Sequence, residues 1–234
     1  MNGIVPVFLV LGIVVILIIA GYYSYLAQQK RREELSNLAR EMGWDFDPDR
    51  DGSHDDEYSD FEMFRRGHSR AAYNTLTGSL TIDDRPYPAK MGDFTYKITS
   101  SDGKTTTTRT YHFSYLILHL PFPGVPDLLI RREGWFDKVA GFFGFDDIDF
   151  ESEEFSRKFC VKSADKKFAY DVIHPRMMEF LLQSAPTAID IEGGRCCLSD
   201  GGRRWEPAEF KAMVAWIDTF FDQWPDHLTA QLDK

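Results

Sequence analysis

The stretch 94-FTYKITSSDGKTTTTRTYHFSYLILHL-120 decides the fold class of this chain. Phe94, Tyr96 and Ile98 alternate with Thr95, Lys97 and Thr99. That period of two puts the apolar side chains on one face of a strand. Asp102-Gly103 then reads as a hairpin signal, because the favoured two-residue turns need positive φ. A second strand follows over residues 105–120. Its polar residues come first, and Leu116, Ile117 and Leu118 then make both faces apolar, which predicts burial on both sides at the far end. A two-residue turn would pair Ile98 with Thr107, Tyr96 with Arg109 and Phe94 with Tyr111.

β patterning extends outward from this hairpin over residues 71–130. It includes a short strand over 127–131, after the turn that holds Pro121, Pro123, Gly124 and Pro126. The Pro123–Pro126 spacing also matches a PxxP ligand, but at a strand end a turn is the commoner use. Downstream, residues 155–163 read as a strand. Residues 165–173 and 175–183 read as two helices or one bent helix, with Pro175 best placed at a first helical position. Residues 188–192 and 195–198 flank Gly193-Gly194 as a second hairpin. A last helix starts near Pro207, carries the stripe Phe210, Met213, Val214, Ile217, Phe221 and Trp224, and ends at Pro225. Strands grouped together with helices at the ends define an α+β body with mainly antiparallel strands.

The N-terminal region differs in kind. No charged side chain precedes Lys30, and residues 4–27 are a nearly unbroken apolar run. A bilayer core needs about 20 such residues as helix. Tyr22, Tyr23 and Tyr25 stand at its end, where amphipathic rings favour the headgroup level. A cleaved signal peptide would instead carry a basic stretch before a shorter run and a small-residue cleavage site after it. Lys30, Arg31, Arg32 and Arg40 follow the span, and the positive-inside rule puts the body in the cytoplasm and the N-terminus outside. Residues 28–42 continue as a stalk helix. Leu35, Leu38, Ala39 and Met42 have helical spacing, so their stripe should dock on the body, and Gly43 is a natural stop. The expected organisation is an anchor at 1–27, a stalk at 28–43 and a cytoplasmic body at 44–234, with a candidate subdomain boundary near 145.

The chain has 27 basic and 37 acidic residues, for a formal charge of −10. That balance argues against nucleic acid as a partner, which wants a basic face. The acidity is concentrated in residues 45–60 and 146–154. Within the first run, Asp47, Asp49, Asp51 and Gly52 match the opening of a calcium loop, and Asp55 takes its ninth position. The twelfth position is Tyr58 rather than Glu, and His54 stands where an apolar residue is usual. A solvated acidic loop is the simpler reading, with Asp47, Asp49, Asp51 and Asp55 kept as candidate metal ligands.

Other chemistry is thin. His112 and His119 share a strand, but their odd separation puts them on opposite faces. No HExxH, paired CxxC, GxSxG elbow, Walker loop or GxGxxG is present, and no cofactor is implied. Cys160, Cys196 and Cys197 make no disulfide framework, and Cys196-Cys197 suits a buried structural strand. Trp135, Phe136, Val139, Phe142 and Phe143 have helical spacing and read either as core or as a face on the bilayer, with Arg131, Arg132 and Lys138 toward its headgroups.

Residues 155–161 (Phe-Ser-Arg-Lys-Phe-Cys-Val), then Ala164-Asp165, Ala169 and residues 173–182 (Ile-His-Pro-Arg-Met-Met-Glu-Phe-Leu-Leu) resemble an uncharacterised bacterial family. Gly193-Gly194-Arg195 before a short strand is similar too. The resemblance spans about residues 155–198 and implies a membrane-anchored protein carrying a domain of unknown function. It brings no activity and no site residues.

Together these readings predict a single-pass protein of a bacterial cell membrane, held in the bilayer by residues 4–27. Its role would be non-catalytic binding or scaffolding of a protein partner at the cytoplasmic face. The alternative is a metal-dependent sensor or hydrolase using the acidic loop 45–60.

Overall fold

The computed structural model describes residues 4–132 and 147–234. The stripe at 135–143 lies outside the described residues. A single helix, α1 (Ile4–Met42), joins span and stalk without a break. Inside a bilayer a helix satisfies every backbone group internally, so the run of β-branched residues there does not turn to strand. It is long and apolar enough to cross a membrane, and its apolar window is unburied. α1 ends where the sequence predicts. Gly43 takes φ +69°, its N–H reaches the Arg40 carbonyl, and the Trp44 N–H reaches the Ala39 carbonyl. These two bonds are those of a Schellman cap, which satisfies the last carbonyls of the helix.

The body is built on one antiparallel sheet. Its strands are β1 (Asp45–Asp47), β2 (His68–Ile82), β3 (Arg85–Ser101), β4 (Thr106–His119), β5 (Leu128–Arg132), β6 (Phe159–Ser163), β7 (Ala188–Glu192) and β8 (Arg195–Ser199). They lie in the order β1-β2-β3-β4-β8-β7-β5-β6. The fold is α+β, and strands from both sides of residue 145 share this sheet. Leu116, Ile117 and Leu118 of β4 are fully buried, because β4 lies at the sheet centre with both faces covered.

One face packs on helices. Leu35, Leu38 and Ala39 of α1 share a core with Leu76, Met91, Leu116 and Leu118. Phe210, Ile217 and Phe221 of α7 (Pro207–Asp222) join it, as do α5 (Lys166–Val172), α6 (Pro175–Ser184) and α8 (Asp226–Leu232). On the other face, two short helices, α2 (His54–Glu57) and α3 (Glu62–Arg65), bring Phe64 onto Phe94, Phe113 and Tyr115. Burying each such side chain contributes roughly 1.5–3 kcal/mol.

The β3–β4 register corrects the two-residue turn expected from Asp102-Gly103. Ser101 pairs with Thr106, so partners sum to 207 rather than 205. Tyr96 faces Tyr111 and Phe94 faces Phe113, while Ile98 faces Arg109. The Asp102 carboxylate is the cause. It accepts from the backbone N–H of both Lys104 (2.9 Å) and Thr105 (2.7 Å), which closes a four-residue loop over 102–105. A shift of two in the sum keeps every side chain on its expected face. The Gly193-Gly194 hairpin forms as expected, with both glycines at positive φ and Glu192 opposite Arg195.

Three further features follow from capping. The strand expected over 155–163 is β6 only from Phe159; before it lies a helix, α4 (Glu153–Lys158), because the Ser152 side chain accepts the Phe155 N–H and caps it. Pro175 begins α6 as expected, and His174 supplies the cap through Nδ1. Pro225 ends α7 and then opens α8, where Leu228 and Leu232 return to the core.

Candidate functional site

The acidic loop is occupied by its own contacts. Asp47 accepts the Asp49 N–H, and Asp51 accepts the N–H and hydroxyl of Ser53. Asp55 pairs with Arg70 at 2.6 Å. No group of three or more metal-ligating side chains occurs among the described residues. His54 faces inward rather than toward the aspartates. It sits between Tyr58, Phe64 and Tyr115, its two ring nitrogens have no partner, and burial pushes its pKa down to about 3.

A site appears instead where the stalk meets the sheet. Arg31 lies one turn past the apolar span, on the face of α1 that packs toward β3. Its Nε and Nη2 donate to the two carboxylate oxygens of Asp93 at 2.8 and 2.6 Å. Asp93 is wholly buried and also accepts from Asn74 Nδ2 at 3.1 Å and from the Ser114 hydroxyl at 2.7 Å. Ser114 in turn accepts the Trp205 N–H at 2.9 Å. Burial alone would lower the pKa of Arg31, but the hydrogen bond and charge of Asp93 outweigh it and raise the pKa. β2 accommodates this network by an irregularity between Tyr73 and Leu76, with Asn74 at φ +51°. Asparagine tolerates that conformation better than most residues.

Beside the pair, toward the apolar run of α1, lies a cleft of about 380 Å³. Ser24 and Gln28 of α1 wall one side, and Tyr73 and His112 line the sheet side. Arg32, Arg50 and Arg204 stand around it. The Tyr73 hydroxyl meets His112 Nδ1 at 3.1 Å. Burial raises the Tyr73 pKa, helped by Asp93 and opposed by Arg204 and Arg31. Burial also lowers that of His112, and the Arg204 charge adds to the effect. The imidazole is therefore neutral near pH 7. Next to the cleft, a groove of about 690 Å³ runs between α1 and the start of α7, with Glu34, Glu206 and Lys211 on its walls.

The sequence conceals this site for a physical reason. Arg31 and Arg32 look like flanking charges of the span, Arg50 like a lone base in an acidic run, and Arg204 like a turn residue. Only the fold brings them together.

A second buried ionic group lies across the sheet. Arg131 is 3.3 Å from Asp190 and 3.9 Å from Glu62. Burial pushes Asp190 up to about 6 despite Arg131, and burial with the nearby acids pushes Glu192 up to about 7. Cys196 and Cys197 lie fully buried beside it, and burial drives both thiols up. Such thiols are poor nucleophiles.

No protein-family model and no curated protein matches this chain. Among solved structures, the crystal structure of the mycobacterial trehalose monomycolate transport factor A, TtfA, is similar, with a TM-score of 0.58 at 13% identity. The match covers 85% of this chain and 96% of that one. At this identity the likeness is one of fold.

Proposed function

We propose that this chain is a single-pass membrane protein whose cytoplasmic α+β body is a non-catalytic binding module held against the inner face of a bacterial membrane. The carrying observation is the buried Arg31–Asp93 pair. It ties the first turn beyond the apolar span to the middle of the sheet, so anchor and body move as one unit. Lys30, Arg31 and Arg32 after an uncharged run support the orientation. The engagement of Asp47 by the Asp49 N–H, of Asp51 by Ser53 and of Asp55 by Arg70 supports a binding module over metal chemistry in the acidic loop. The similar fold of TtfA belongs to a trehalose monomycolate transport factor. From that likeness we take a class of role, that of an accessory to transport at a membrane, and not the particular cargo.

Topology is the test. A reporter active only in the cytoplasm, fused after Lys234, should give signal, and the chain should stay with membranes through high-salt washing. Signal only from a reporter that works outside the cytoplasm would contradict the reading.

A further inference from the structure

We infer that the cleft between the membrane end of α1 and the β2–β4 face binds a phosphate group, and that its source is the headgroup of an anionic lipid. This rests on the reading that the body sits on the bilayer. Arg31 is consumed by Asp93, and Asp93 is further satisfied by Asn74 and Ser114. Arg32, Arg50 and Arg204 line a cleft whose lining holds no carboxylate, although the chain as a whole is acidic, and Arg204 is held toward it by the Tyr73 hydroxyl. Three guanidinium groups around a cleft lined by no carboxylate give it a positive wall. Planar N–H forks match phosphate oxygens two at a time.

Shape and position narrow the ligand. A volume of about 380 Å³ suits a headgroup-sized anion rather than a folded partner. The Tyr73 hydroxyl and the neutral His112 ring add uncharged hydrogen-bonding groups on the sheet wall. On the other wall, Ser24 follows Tyr23 directly and Gln28 lies one helical turn further on, at the level where a span leaves the hydrocarbon. At about 1.5 Å per residue, Ser24 to Arg32 covers roughly 12 Å of helix, within reach of the headgroup layer. A lipid phosphate can enter this cleft while its acyl chains stay beside α1.

The test uses the full chain in nanodiscs of phosphatidylcholine with a minor fraction of phosphatidylglycerol. Native mass spectrometry counts the lipids retained on release. The expected result is one retained phosphatidylglycerol, lost by about thirtyfold or more in Arg50→Glu/Arg204→Glu, since each basic side chain near a surface contributes roughly fivefold. Lys97→Glu/Arg109→Glu makes the same charge change on the hairpin arms and should keep the lipid. In a second arm, glycerol phosphate is titrated against the chain in pure phosphatidylcholine nanodiscs. Weak binding there supports the lipid source. Binding as tight as that of the lipid supports the phosphate chemistry and overturns the lipid source. Equal losses in both double variants, or no loss in either, would overturn the site. Throughout, a chain that stays membrane-inserted with its reporter unchanged leaves the anchoring reading intact, so the two can fail separately.

Discussion

Arg31 and Asp93, 62 positions apart, meet in a two-point ion pair that joins the stalk helix to the third strand. Asp93 has no solvent exposure and Arg31 little. A pair so placed gains less than its geometry suggests, because both charges were removed from water. Breaking it from one side is costly, because the remaining charge stays buried alone. Asp93→Ala should therefore destabilise the full chain by about 3–5 kcal/mol, and Asp93→Ala/Arg31→Leu by clearly less. Denaturant unfolding in detergent measures both. A double variant as destabilised as Asp93→Ala alone would show that the orphaned Arg31 carries no buried-charge penalty and would contradict this account.

His54 gives a pH signature. Its pKa is held near 3 when folded, so between about 3 and 6.5 the unfolded chain binds the extra proton. The stability this represents is fully present above 6.5 and is lost as pH falls through that window. By pH 5 the loss should reach about 2 kcal/mol. His54→Phe keeps a ring among Tyr58, Phe64 and Tyr115 and removes two unpartnered nitrogens. Its melting temperature should match or exceed the parent's at pH 8 and exceed it further at pH 5. A constant difference across pH would exclude the proposed protonation.

Glu192 works in the opposite direction. Its folded pKa is raised to about 7, chiefly by burial and then by Asp190, Asp127 and Asp60. Its contribution is present below about 4.5 and is lost as pH rises through 7. After allowance for partial exposure, Glu192→Gln should gain about 1 kcal/mol at pH 8 and nothing at pH 4. A gain at pH 4 as large as at pH 8 would rule this out.

Gly78 tests the seat of the stalk's end. A Cβ there would lie 2.3–2.5 Å from Trp44 ring atoms. Gly78→Val improves strand propensity yet should destabilise by about 1–3 kcal/mol, with a changed near-ultraviolet tryptophan signal. An unchanged melt and spectrum would mean that Trp44 does not pack there.

Much of this fold is legible from local pattern. The span, the Gly43 stop, the double burial of Leu116–Leu118 and the Gly193-Gly194 turn each depend on a few adjacent residues. The misreadings come from side chains that reach back to the backbone. Asp102 lengthened a turn and Ser152 turned an apparent strand into α4, and alternation alone carries no sign of either. Strand order was hidden as well, because β8 follows β4 in the sheet only after a long stretch of intervening chain. The basic cleft was the least legible feature. Its arginines come from three separate segments, and each has an ordinary local explanation.

Anchor and body forming one unit is the central claim. Amide hydrogen exchange on the full chain in nanodiscs, read over residues 30–42, addresses it directly. The expected result is protection close to that of β3 and β4, falling selectively in Asp93→Ala while the sheet stays protected. Rapid exchange over residues 30–42 in the unmodified chain, beside a protected sheet, would mean that the stalk is not docked and would contradict the claim.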